Sequence, residues 1–381
     1  KLTTANDLSY SKDTSTGELT LIASNFEIRG QEDVVHNLII SGRRNNIYGG
    51  KLDDKVEESD SENCYINYIY GGEGNDTIIL RATASVGYGE AGDDLLTAYS
   101  GSLNGGTGED IFNIYAGYVV HHGGAGNDIF NIYGVSNKIY GDDGNDIFNI
   151  IQGGSNTIDG GTGTNTVTGT VGTNTTINVI GANSGSVSLT KGVEQVVNIN
   201  GIDYTMSTES TTATVIYSIN DSGQITFSMS SNQAIIKGAL NKKHNVSIKA
   251  GITFYGGNKG DTIESVSAII YLGSGNNTLK ADSGYIYSSS GSNTVTLMGF
   301  ACFYGGSGVN NITVSGRYNY IESGSASMNV ILKGSDNTIY GAGGNNTLVS
   351  NTGSNNFISG FGDADNAQAL SLAKGETKNL T

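Results

Sequence analysis

The feature that most constrains this chain is a phrase that returns through residues 71–167: GGEGNDTI, GEAGDDLL, GGTGEDIF, GGAGNDIF, GDDGNDIF and GGTGTNTV. Each copy is a glycine-rich turn closed by an acid or an amide, with an apolar residue two places on. The closing residues Asp76, Asp94, Asp110, Asp128, Asp146 and Asn165 stand 18, 16, 18, 18 and 19 residues apart, and GGKLDDKV adds an earlier copy closing at Asp54. A spacing near 18 residues is too short for a helical repeat. It suits one coil of a parallel β-solenoid, made of two short strands and two turns.

The residues two places after the closing position are Val56, Ile78, Leu96, Phe112, Phe130, Phe148 and Val167. Alternate residues of a strand share a face, so this column points into the coil and its neighbours point to solvent. The loops themselves carry Gly71, Gly72, Gly74, Gly89, Gly92, Gly105, Gly106, Gly108, Gly123, Gly124, Gly126, Gly141 and Gly144. A tight turn that aims several carbonyls at one point needs positive φ angles, which glycine adopts without steric cost. Coils stack about 4.8 Å apart, so adjacent loops can enclose a hard cation between carbonyl and carboxylate oxygens. Calcium, which takes six to eight oxygens in flexible geometry, is the expected ion.

The phrases GGEGNDTI, GGAGNDIF and GDDGNDIF resemble the calcium-binding nonapeptide repeats of the RTX family, secreted bacterial proteins built on a β-roll. The resemblance implies calcium held between successive loops and an extracellular, repetitive surface protein. The chain departs from the plain RTX pattern in placing one such loop per coil. The opposite turns, such as Gly134-Val135-Ser136-Asn137, lack the acid. One-sided coils of this kind are similar to those of some large RTX adhesins, one of which binds ice.

Composition agrees with a thin-cored solenoid. Among 381 residues there are 57 glycines and no proline or tryptophan, and only 36% of residues are hydrophobic. The net charge of −16 is uneven, with 24 acids and 9 bases in residues 1–170 against 12 and 11 in the rest. Acidity that tracks the glycine loops reads as ligand charge, and it makes nucleic acid an unfavourable partner. No apolar run is long enough to insert in a membrane. Cys64 and Cys302 are far apart in sequence and read as unpaired thiols. A chain starting at Lys1 without a leader reads as a mature product or a fragment.

The chain also reads as two tandem units, 1–207 and 208–381. NNIYGGKLDDKVEES at 45–59 answers to ITFYGGNKGDTIES at 252–265, with Gly49 matching Gly256 and Asp54 matching Asp261. In unit one the loops span 49–165, and the Thr/Val-rich stretch 168–207 reads as a strand-rich cap or linker. In unit two the closing positions are Asp261, Asn277, Asn293, Asn310, Asn329 and Asn346, followed two places on by Ile263, Leu279, Val295, Ile312, Ile331 and Leu348. The apolar column is kept while amides replace the acids. Stacked asparagines can hold a turn without metal, so unit two is expected to bind little calcium, at most one ion near Asp261. Asn165 offers a neutral oxygen and a weak last site.

The fold expected is therefore all-β: two tandem parallel β-solenoid units of about 18 residues per coil, with strand-rich caps or linkers. The function expected is a non-enzymatic, calcium-stabilised structural or adhesive segment of a secreted bacterial cell-surface protein. Its partners would be further copies of the repeat or extracellular matrix components, with glycan possible. His121 falls in an inward column with Ile47, Ile69, Ile139 and Ile158 and reads as structural, since no third ligand has metal spacing nearby. The tyrosines of the recurring IYGG-like phrase, Tyr48, Tyr70, Tyr140 and Tyr340, read as packing and turn-flanking residues or a carbohydrate-stacking row. No acid–base cluster suggests catalysis. The alternatives are a glycan- or ice-binding solenoid, or the repeat region of an RTX toxin or secreted enzyme whose active domain lies outside the chain.

Overall fold

A computed structural model describes residues 9–60, 64–152, 154–169, 176–325, 327–361 and 370–372. Among them every regular element is a β-strand. Each coil contributes one strand to each of two sheets. In the first sheet Thr77–Leu80, Leu95–Ala98, Ile111–Ile114, Ile129–Ile132 and Ile147–Ile150 pair in parallel, each with the next coil. In the second, Val86–Ala91, Ser102–Thr107, Val120–Ala125 and Lys138–Asp143 do the same. Parallel ladders over a repeating coil make a β-solenoid.

The chain divides into two compact units, Lys1–Val187 with Val197–Gly201, and Ser188–Val196 with Ile202–Thr381. The stretch expected as cap or linker still coils in part. Thr157–Asp159 pairs in parallel with Thr176–Ile180, and Asn165–Gly169 with the start of Ala182–Thr190. Antiparallel pairs stand near the unit ends instead: Ser9–Lys12 on Leu19–Ser24 in the first, and Ile202–Ser207 on Ala234–Gly238, Thr212–Ile219 on Ile225–Ser231 and Asn356–Ser359 on Leu370–Leu372 in the second. A hairpin laid on a parallel stack covers backbone groups that a bare terminal coil would leave unpaired.

The expected column is the core. Val56, Ile78, Leu96, Phe112, Phe130, Phe148 and Val167 are all buried, and Leu80, Ala98, Ile114, Ile132 and Ile150 form a second buried column beside them. Phe112, Phe130 and Phe148 stack face to face, with centroids 4.4 and 4.8 Å apart. The Phe130 ring tip approaches the space a side chain at Gly123, on the other sheet, would need. Large residues on one sheet thus fill what glycine leaves open on the other.

In unit two the column runs through Ile263, Leu279, Val295, Ile312 and Val330. Two expectations are corrected here, and the first is Leu348, which is only half-buried. Asn329 and Ile331 pair with Asn311 and Thr313 on the outer face, and Met328 and Val330 turn inward. Strand alternation decides this: the inward set Met328, Val330 and Leu332 is wholly apolar, and a slip of one residue would bury Asn329 in its place.

Truncating the middle ring of the phenylalanine stack, Phe130→Ala, should cost about 3–5 kcal/mol of stability. A denaturant titration followed by far-UV circular dichroism in calcium would show a correspondingly lower midpoint.

Candidate metal centre

Two side-chain ladders run along the loop corner of unit one, in opposite directions. The inner ladder is made by the closing acids. Asp54, Asp76, Asp94, Asp110, Asp128, Asp146 and Asn165 are all buried, at most 2% exposed. The backbone N–H of each acid donates to Oδ1 of the next coil's closing residue, at 2.7–2.9 Å from Asp54 through Asp146. The outer ladder is made by the residue just before. Asn75, Asp93 and Glu109 donate their N–H to Oδ1 of Asp53, Asn75 and Asp93 in the preceding coil, and Asn145 and Thr164 continue with Asn127 and Asn145.

The loop glycines serve three different needs. Gly72, Gly106 and Gly124 have φ of 117°, 112° and 109°, and Glu90 and Asp142 hold the same strained region in the coils that lack a glycine there. Gly74, Gly92, Gly108, Gly126 and Gly144 have φ between 107° and 149°. Gly71, Gly89, Gly105, Gly123 and Gly141 instead clear space: a methyl on any of them would overlap Oδ2 of Asp76, Asp94, Asp110, Asp128 or Asp146 respectively.

That Oδ2 atom is where the acid ladder differs from an amide ladder. In the Asn165 coil Nδ2 donates to the carbonyls of Gly160 and Thr162 at 2.7 and 3.1 Å. In unit two Asn277 Nδ2 donates to Gly273 and Gly275, and Asn346 Nδ2 to Gly343. The loop carbonyls are therefore arranged to receive a donor. An aspartate puts an acceptor there, and Oδ2 of Asp54, Asp76, Asp94, Asp110, Asp128 and Asp146 is buried without a hydrogen-bond partner. Six orphaned acceptors at one corner cannot persist uncompensated, since each buried unsatisfied group costs about 1–3 kcal/mol.

A proton or a cation would resolve the conflict. Burial, countered by the N–H of the preceding acid, pushes Asp76, Asp94 and Asp128 up to about 7 and Asp110 and Asp146 to about 6. Among the described residues no three acid, histidine or cysteine side chains converge on one point. The acids form a column, so a cation here would draw most of its oxygens from loop carbonyls, which suits a hard ion such as calcium. The donor set suits that ion: loop carbonyl dipoles and, in each coil, one carboxylate oxygen without a hydrogen-bond partner.

Asp261 is a different object. Its Oδ1 accepts from the N–H and Nδ1 of His244, both at 2.9 Å, and its Oδ2 accepts from Gly257 N–H at 2.8 Å. Both oxygens are satisfied by protein, so the carboxylate has no call on a cation. Asp54 shares the histidine and not the glycine contact: His36 N–H and Nδ1 lie 2.6 and 3.0 Å from its Oδ1, while Gln31 N–H donates to His36 Nε2. A histidine thus heads both ladders. The sequence carried the signal, since His36 and His244 stand one coil before Asp54 and Asp261.

The opposite corner also holds a ladder that the loop motif did not announce. Asn45 N–H donates to Asn67 Oδ1, Val119 N–H to Asn137 and Asn137 N–H to Asn156, while the Nδ2 groups donate to carbonyls of earlier turns such as Ala23, Ala116 and Gly134. Each of these asparagines precedes an inward isoleucine by two, as each acid precedes its apolar residue. Where the row is interrupted, buried Glu58 accepts from Asn67 Nδ2, Ser85 Oγ and the N–H groups of Arg81 and Ala82.

The other candidates are structural in their surroundings. His121 is buried in the isoleucine column, accepts from Leu103 N–H, and is held down to about 3 by burial. Tyr48, Tyr70 and Tyr88 stack at 4.8 and 4.9 Å with planes within 7°, Arg29 covers the Tyr48 ring, and Tyr140 stacks on His122. The inner ring, Tyr70, is stacked on both faces, as expected of packing residues. Cys64 and Cys302 are free thiols. No family model matches the chain, and no curated protein or solved structure is significantly similar to it.

The raised acids set a sign for pH. Their folded values lie above the unfolded value near 4, so in chelator they favour the fold fully below that value and lose this contribution as pH rises through about 6–7. Circular dichroism in chelator should therefore show unit one folded in acid and lost across that range. Replacing Asp76, Asp94, Asp110, Asp128 and Asp146 by Asn supplies the missing donor. The variant should stay folded in chelator at neutral pH, gaining about 1–3 kcal/mol per coil.

Proposed function

We propose that unit one is a calcium-stabilised structural or adhesive segment of a secreted, repetitive cell-surface protein, resembling the RTX repeats. The observation that carries this reading is the orphaned Oδ2 of six stacked aspartates, each in a loop whose carbonyls receive an amide donor in the Asn165 coil and in unit two. Calcium would supply positive charge between adjacent loops. The chain's own residues do the rest: the first loop glycines clear the space, the positive-φ glycines turn the carbonyls, and Oδ1 fixes the register of each coil on the next.

No such site exists in an unfolded chain, so binding free energy becomes folding free energy. Extracellular calcium modules have dissociation constants of about 10⁻⁴–10⁻³ M. On that scale unit one stays soft where calcium is scarce and stiffens outside the cell. Unit two, whose amides and satisfied Asp261 need no ion, keeps its coil in either place.

Peptide-resolved hydrogen exchange on the full chain, with calcium and then with excess chelator, tests this. Protection across residues 71–167 should fall in chelator while residues 252–351 hold theirs. Equal loss in both regions, or none in either, contradicts the reading.

A further inference from the structure

Between Thr77 and Thr168 the outer face of the first sheet in unit one is free of charge. From Thr77 to Thr168 its outward strand positions hold only threonine, isoleucine, leucine and asparagine, while the same stretch of the second sheet carries Glu90, Lys138, Asp142 and Asp159. Leu95, Ile111 and Ile147 make one row and Tyr99, Tyr115 and Ile151 another, each side chain 39–48% exposed. Such contiguous apolar patches mark interaction sites.

Between these rows runs a line of amides that has already satisfied itself. Asn113 Nδ2 donates to Thr97 Oγ1, Asn131 to Asn113 Oδ1 and Asn149 to Asn131 Oδ1, and Thr168 Oγ1 closes the row on Asn149. Polar groups that are bonded along the row lose less on drying than groups bonded to water. At one end the face meets a charged rim, where Arg81 binds Glu57 at 2.8 Å and Glu57 binds Lys55. Two apolar rows about a self-bonded amide row, with charge kept to the rim, match the charge-depleted centre and polar rim of a protein interface. The matching face of unit two is broken by Glu264 beside Lys280.

We infer that this face docks on the same face of a second copy of the chain. Two copies meeting on the second sheet would bring Glu90, Asp142 and Asp159 against carboxylates of the other copy; here no carboxylate meets another. A stack with one repeat per coil is complementary to itself across a two-fold axis, as an isologous contact requires. The exposed area is on the order of 500 Å² per copy, so the pair buries about 1,000 Å², the lower bound of a specific interface. The dimer is accordingly weak, and tightens when several such segments are joined in one chain. The inference needs unit one folded, and in that it rests on the proposed function; circular dichroism in calcium separates loss of the fold from loss of the contact.

Sedimentation velocity of the full chain in millimolar calcium, over a wide concentration range, tests it. The expected result is a monomer–dimer equilibrium in the micromolar range that Ile111→Lys with Ile147→Lys weakens at least tenfold. Ile111→Thr with Ile147→Thr, which keeps the β-branched shape, weakens it less, and Val120→Lys on the other sheet leaves it unchanged. Circular dichroism confirms that each variant is folded. A monomer at every concentration overturns the proposal, as does a dimer that the face variants do not disturb, which would place the contact elsewhere.

Discussion

At each corner of a stacked coil a backbone N–H points at the coil above or below, and it must find an acceptor there or be lost to the interior. This chain answers with a side chain from the neighbouring coil. The closing residue of one turn lends Oδ1 to the N–H of the turn before it, and the run from Asp54 to Asn165 is one unbroken line of such bonds. Asparagine and aspartate do this equally well. They differ in the second atom, which either donates to the loop carbonyls or confronts them.

The two units are two solutions to that choice. In unit two Asn277 and Asn293 donate onward to the next amide, and Asp261 is satisfied by His244 and Gly257. The row has its own flaw at Asn310, whose Nδ2 lacks a partner where Met328 follows it. In unit one a carboxylate takes the amide's place, and its Oδ2 is buried without a hydrogen-bond partner.

Much of this was legible in the sequence because a repeat writes one rule many times. The spacing fixed coil length, and the residue two after each acid fixed the core face, from Val56 to Val167. The misplacement of Asn329 shows where that rule weakens: with SASMNVIL in place of a glycine loop, only the alternation of Met328, Val330 and Leu332 sets the register. His36 and His244 escaped notice because a histidine heading a ladder occurs once per unit and forms no column in the sequence. The asparagine corner was read only as turns that lack the acid, because Asn45, Asn67, Asn137 and Asn156 carry no charge to mark a ladder. That both acid oxygens do different work is a property of three-dimensional stacking, and no spacing reveals it.

The most direct test is the electron density at Oδ2 of Asp76, Asp94, Asp110 and Asp128 in crystals grown with calcium. Anomalous difference maps should place an ion beside each of these atoms, within reach of the loop carbonyls. Maps empty of anomalous signal there, with each carboxyl close enough to a loop carbonyl to share a proton, would contradict the account.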